Sequence, residues 1–297
     1  MPSKNSTNYQ YLRDKWTKKH RDLQKNIATK HKKSFEWLST NSKQLAVGSL
    51  GGLILLASPV QTTESVSNGA NVSKQEIQPV ESKTFLISDL GKVLPDEIRP
   101  LTQEEEEKIG KILSDKFGMD VSAQINGLRL NRSYGLIGAE QHLARYPGDN
   151  MSSHFDTNAD DASKYYSSGM APGLGAWGYF ATSRANLTGE DTLREKYYIA
   201  VQTFLAPDFN KKVAVYRDFF KYRKMLAVNP HNGRAMVVVI GDAGPAEWTG
   251  KHLGGSPEVM KYLERVDGRS RGPVLYYFID DPKDSIPLGP IEPAVNG

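Results

Sequence analysis

The stretch "VNPHNGRAMVVVIGDAGPAEWTGKHLGGSPEVMKYL", Val228 to Leu263, decides how this chain folds. Pro230 fixes φ and Asn232-Gly233 tolerates positive φ, so "NPHNG" is a tight turn between two strand-like runs, "RKMLAVNP" and "RAMVVVIGD". Val237 to Ile240 is an unbroken apolar run, the pattern of a buried strand. It breaks on Asp242, and a glycine-dense loop follows before Ser256 opens a short helix. A carboxylate at the mouth of a buried strand has two explanations. It hydrogen-bonds the N–H groups of its own loop, or it faces a groove and does chemistry there.

Around this stretch, "LGAWGYFATSR", "KYYIAVQTFLA" and "GPVLYYFIDD" add strand-like runs from about Gly169 onward. Short strands with turn signals and little helix predict a small barrel. Upstream, Thr102 caps a helix with Glu105 reaching back; Ile109, Ile112, Leu113 and Phe117 share one face, and Gly118 stops it. The acidic run Glu104 to Glu107 falls in the first turn of that helix, where the dipole favours it, so it is structural rather than metal-binding. "INGLRLNRSYGLIGAEQHLARYPGD" reads as a strand or turn followed by a short helix at Ile137 to Leu143. Residues 58–101 carry Ser, Thr, Gln, Glu and Pro without clean periodicity, a linker composition.

Charge is unevenly placed. Residues 1–44 carry eleven Lys or Arg against three acids, leaving 27 basic and 31 acidic residues for the rest of the 297. The bulk is mildly acidic, which argues against nucleic-acid binding. Residues 10–40 have helical spacing among lysines, the pattern of a solvated or membrane-surface helix. Cysteine is absent, which excludes disulfides, thiolate metal sites, cysteine nucleophiles and a lipoprotein-type anchor. "LAVGSLGGLILLA", residues 45–57, is shorter than the roughly 20 residues of a spanning helix and suits a signal-peptide core, with Leu55 and Ala57 ahead of Ser58 as cleavage pattern. An uncleaved signal anchor with Lys43 snorkelling and a buried soluble helix are the alternatives. Either export reading keeps the basic leader cytoplasmic and places the remainder in the cell envelope, membrane-anchored or secreted.

With the Asn232-Gly233 turn, the Val237 to Ile240 strand, Asp242, Gly244-Pro245 and the Ser256 helix start in this order, residues 169–281 resemble the double-psi β-barrel domain shared by rare lipoprotein A, expansins and membrane-bound lytic transglycosylases. The resemblance implies a six-stranded barrel that acts on peptidoglycan or another cell-wall glycan, without a cofactor. Glycines at 241, 244, 250, 254 and 255 would let the chain pass under a neighbouring strand in a psi loop. In the cleaving members an Asp-Leu-Ser element carries the acid that protonates the glycosidic oxygen; here "LGGS" places Gly254 where that aspartate would stand. Cleavage needs at least one protonated carboxylic acid at the leaving oxygen, and a lytic transglycosylase manages with one, since the sugar's own 6-hydroxyl is the nucleophile. Asp242 is the candidate with a family match; Glu247 and Glu258 are further carboxylates, Glu258 better read as a capping partner for the Ser256 helix.

Trp177, Tyr179, Tyr197, Tyr198 and Trp248 offer rings on which a sugar can stack. Trp248, in the polar loop beside Asp242, is expected to be exposed, and with Glu247, Trp177 and Tyr179 forms the candidate substrate-binding set. Three further functions stand beside glycan cleavage. The first is a noncatalytic glycan-binding or wall-loosening module. The second is a zinc D,D-peptidase, whose Ser-x-His-x-x-Gly-x-Ala-x-Asp pattern is similar to Ser152, His154, Ala159 and Asp161, with Thr157 in place of the glycine; His142 and Asp149 repeat the spacing. The third is a structural envelope protein whose residues 118–168 bind a partner. The organisation expected is a basic leader (1–44), a hydrophobic signal or anchor (45–57), a linker (58–101), a small α/β middle region (102–168), a double-psi β-barrel (169–281) and a C-terminal tail (282–297), with no metal assigned.

Overall fold

The structure is a computed structural model that describes residues 78–265 and 272–294, which lie in one compact unit. The expected leader, the helical pattern at 10–40 and the apolar segment 45–57 lie outside the described residues. Among the described residues, no helix is long and apolar enough to cross a membrane.

Six strands close into a mixed barrel: β4 (Tyr134–Ala139), β5 (Tyr198–Val201), β6 (Lys224–Val228), β7 (Ala235–Ala243), β8 (Leu253–Gly255) and β9 (Gly272–Ile279). Around the barrel the order is β4-β8-β5-β7-β6-β9 and back to β4, with β4·β8 and β5·β7 parallel and the other four pairs antiparallel. The topology has an internal two-fold pattern. Exchanging β4, β5 and β6 for β7, β8 and β9 maps β4·β8 onto β7·β5 and β4·β9 onto β7·β6, and returns β5·β8 and β6·β9 to themselves.

The strands are apolar on both faces because both faces are covered. Along β6, β7 and β9, Met225, Ala227, Met236, Val238, Ile240, Val274, Tyr276 and Phe278 point into the barrel with Ile137, Ile199, Val201 and Leu253. The alternate residues Leu226, Val228, Ala235, Val237, Leu275, Tyr277 and Ile279 point outward, under helices α1 (Gln78–Gly91) and α2 (Gln103–Phe117). α2 is built as its sequence predicts: Thr102 and Glu105 form the reciprocal cap, Gly118 ends it in the left-handed conformation, and Ile109, Leu113 and Phe117 are buried. Its acidic run is structural. Glu104 pairs with Lys108, Glu105 with Arg99, and buried Glu106 accepts from Arg129 Nη2 at 2.9 Å and Ser133 Oγ at 2.7 Å.

The structure differs from expectation in four places. α1 falls inside the stretch with linker composition, yet its Leu86 and Leu90 are fully buried, each side chain contributing about 1.5–3 kcal/mol of transfer energy. They are an i, i+4 pair on one face, while Phe85 of the same helix stays 55% exposed. The helix expected at Ile137 to Leu143 is instead strand β4 and the loop after it; neighbours on both edges, β8 and β9, capture a segment that is glycine-rich and weakly helical. The barrel therefore takes its first strand from the middle region, ahead of the expected start at 169. "LGAWGYFATSR" forms no strand, since it lies across β7 as a loop, tied by Trp177 Nε1 donating to the Ile240 carbonyl at 3.0 Å. Finally, Gly289–Ile291, in the expected tail, is a strand (β10) paired antiparallel with Ala235 to Val237 of β7.

Three short strands complete the sheets: β1 (Val121–Ser122) lies against β9, and β2 (Gln124–Ile125) with β3 (Leu128–Arg129) forms a separate hairpin. Between β4 and β5 the chain makes α3 (Met151–His154), α4 (Ala159–Tyr165) and α5 (Gly189–Lys196). α6 (Val213–Phe220) precedes β6, and α7 (Pro257–Tyr262) follows β8. Ser256 caps α7 by accepting from the Val259 N–H.

Candidate active site

The pairing register sets Gly138, Gly254, Ala200 and Asp242 in one row across β4, β8, β5 and β7. Directly opposed residues project from the same face, and Ala200 packs outside the barrel interior with Leu143, Tyr198 and Val239. The row is thus a floor of small residues on the outer face, ending in a carboxylate. Onto it two long side chains fold. Lys251 crosses Gly138, and the carboxylate of Glu140, next after β4, lies over Gly254 so closely that a Cβ on residue 254 would overlap it. Lys251 Nζ donates to the Ala139 carbonyl at 2.8 Å and pairs with Glu140 Oε1 at 3.2 Å.

Glu140 opens into a cleft of about 400 Å³ lined also by Gln141, Lys164, Tyr165, Pro257 and Lys261. Burial pushes its carboxyl above the ordinary value; Lys251 opposes this, and the negative charge of Asp242 adds to it. Asp242 is half-buried, and its Oδ1 accepts from the backbone N–H of Ala176 at 2.6 Å and of Ala243 at 2.7 Å. It therefore bonds its own backbone and also clamps the 171–180 loop to the mouth of β7. Gly175 lets that loop come close, since a Cβ there would meet Leu143 at 3.2 Å and the Asp242 carboxyl carbon at 3.5 Å. Burial pushes the Asp242 carboxyl up as well, against the pull of the two N–H donors.

The expected binding residues are distributed more widely. Trp177 is half-buried on the barrel core and spends its N–H on Ile240. Tyr179 is 38% exposed, and Trp248 is 88% exposed on the turn Glu247–Thr249 between β7 and β8. Glu247 shares that turn and, like Trp248, makes no hydrogen bond to Asp242 among the described residues. Glu258, in the first turn of α7, is buried; its carboxylate accepts from its own backbone N–H, and its Oε2 has no hydrogen-bond partner among the described residues. Burial pushes its carboxyl up to about 7.

Beneath the loop that carries Glu140 lies a buried polar cluster that brings together His142, Asp149 and His154 of the peptidase-like spacing with Glu195, which that spacing does not include. Glu195 of α5 meets His142 Nδ1 at 3.3 Å and His154 Nε2 at 3.0 Å, and also accepts from the Leu143 N–H at 3.0 Å. His154 Nδ1 faces Asp149 Oδ2 at 3.0 Å, and Arg145 holds that oxygen through its backbone N–H at 3.0 Å and Nε at 3.3 Å. The His-to-Asp spacings of the peptidase pattern are not the contacts the fold makes at this cluster: Asp161 pairs with Lys196 at 2.6 Å, and His154 meets Asp149 and Glu195. The Ser152 to Asp156 segment forms α3 and its exit. The chain matches no protein-family model, no curated protein and no solved structure.

Sequence reasoning passed over Glu140 and Glu195. Glu140 gave no usable signal, because its role depends on β4 being a strand paired in parallel with β8, and the segment reads locally as a short helix. Glu195 gives none either, being one charge among several on a short amphipathic helix.

Proposed function

We propose that this barrel is a double-psi barrel of the rare lipoprotein A and expansin type, and that its outer groove acts on cell-wall glycan with Glu140 as the acid that protonates the glycosidic oxygen. Two parallel pairs exchanged by an internal two-fold pattern support the fold. The observation that carries the function is the seat of Glu140: its carboxylate fills the space over Gly254, the position where the cleaving members of that family hold their acid. Burial and the nearby Asp242 keep this acid above its ordinary value, as a proton donor to a leaving oxygen requires. Asp242 is the second carboxylate of the groove, fixing the 171–180 loop and raising Glu140. Trp248 offers an uncovered ring for a sugar face. The acidic bulk after residue 44 and the apolar segment 45–57 support an envelope location, with the groove outside the membrane.

Incubating the full-length protein with purified sacculi tests this reading. Release of soluble anhydro-muropeptides is expected, falling by about 100-fold or more in Glu140→Gln, the loss typical of a removed general acid, and by about 10-fold in Asp242→Asn, which keeps an oxygen for the two N–H donors. Co-sedimentation with sacculi without release would assign the groove to glycan binding alone. The absence of both release and co-sedimentation would overturn the glycan reading.

A further inference from the structure

We propose that His142, His154 and Glu195 form a divalent-metal site of the zinc type that staples the loop after β4 to α5. The three donors come from three separate elements, and their ligand atoms all lie within 4.8 Å of one another. Two imidazole nitrogens and one carboxylate oxygen are the donor set zinc takes, whereas magnesium and calcium take oxygens. All three side chains are buried. Phe155 seals the cluster, its ring 5.2 Å from that of His142 and 5.1 Å from that of His154, both edge-on.

Orienting partners of the kind metal histidines carry are already in place. Asp149 Oδ2 occupies Nδ1 of His154, which leaves Nε2 to face Glu195. Asp149 is in turn fixed by Arg145, by the Asn150 N–H at 3.1 Å and by Ser153 Oγ at 3.1 Å. A second, independent observation is that this region is not a closed polar network. His142 Nε2 and Glu258 Oε2 are both buried without a hydrogen-bond partner among the described residues, while nearly all buried polar atoms in folded proteins have one. The site would be structural, and it would set the position of Glu140, two residues from His142. It does not depend on the glycan reading.

The test uses full-length protein stripped with chelator and titrated with zinc chloride and, separately, cobalt chloride. One zinc per chain with a Kd below about 1 µM is expected, together with the visible absorption of four- or five-coordinate cobalt. Affinity should fall by about 10- to 100-fold in Asp149→Asn, the usual effect of losing an orienting partner, and stoichiometric uptake should vanish in Glu195→Gln. The cobalt spectrum of the unmutated chain keeps the test decisive if a variant fails to fold. No uptake by folded wild-type protein at 10-fold excess, or uptake unchanged in Glu195→Gln and so lodged elsewhere on the chain, would overturn the proposal and leave an ion-paired lock.

Discussion

Glu258 offers the most quantitative handle on the groove's surroundings. Its side chain is 5% exposed, and burial raises its carboxyl from an ordinary 4.5 to about 7. Between those values the folded protein holds a proton that the unfolded chain has released, so this group's contribution is full below 4.5 and is lost as pH rises through 7. A shift of roughly 2.5 units at about 1.4 kcal/mol per unit is worth about 3 kcal/mol. Glu258→Gln removes the titration while keeping the shape, and any cost of the amide itself is independent of pH. Urea unfolding of wild type and variant at pH 5 and pH 8, in chelator so that no metal charge adds to the local field, gives a difference of differences. Relative to the variant, the wild type should lose about 2–3 kcal/mol between the two pH values. Curves that stay parallel within about 0.5 kcal/mol would show that the carboxyl reaches water, and would refute the burial on which the argument rests.

Two further substitutions probe the floor and the barrel rim. Gly254→Ala places a methyl where the Glu140 carboxylate lies, and the atoms it displaces are the mobile end of that side chain, so muropeptide release should fall by at least 10-fold while urea melts shift by less than about 1 kcal/mol; adding Glu140→Ala should not restore the activity. Asp281 sits against Lys224 at 2.8 Å, with the Ile286 and Ser285 N–H groups donating to it at 2.8 and 2.9 Å. Burial alone pushes the Asp281 carboxyl up, but these partners outweigh it and hold it well below the usual carboxylate range. Its stabilisation is therefore present above pH 4 and lost as pH falls below it. Asp281→Asn should cost about 1.5–3 kcal/mol at pH 7 and progressively less in acid, as read by melts from pH 7 to 3.

Local chemistry made part of this fold legible from the sequence. The cap at Thr102, the stop at Gly118, the start at Ser256 and the strands at 198–201, 224–228, 235–243 and 272–279 each carry their own signal in neighbouring residues. What was not legible depends on distant partners. β4 is a strand because β8 and β9 hold its edges from more than 110 residues away, and α1 is a helix because Leu86 and Leu90 meet the outward face of β6, β7 and β9. The double burial of those three strands was visible as unbroken apolar runs, but the cover came from a segment whose composition reads as linker.

The site repeats this division at the level of single side chains. Asp242 was legible because its acid, its turn and its glycines are contiguous, and for that same reason much of its hydrogen bonding serves the backbone beside it. Glu140 reaches Gly254 through the parallel β4·β8 register, so the acid and the gap it fills lie on different strands and sequence spacing says nothing of their meeting. A glycine at residue 254 is then required rather than permissive, because any side chain there would expel Glu140 from its seat. The same loop continues two residues on to His142, whose Nδ1 lies 3.3 Å from Glu195 of α5. The carboxyl of the groove and the buried histidine cluster therefore share one short tether, and changes that loosen the cluster should be felt first at Glu140.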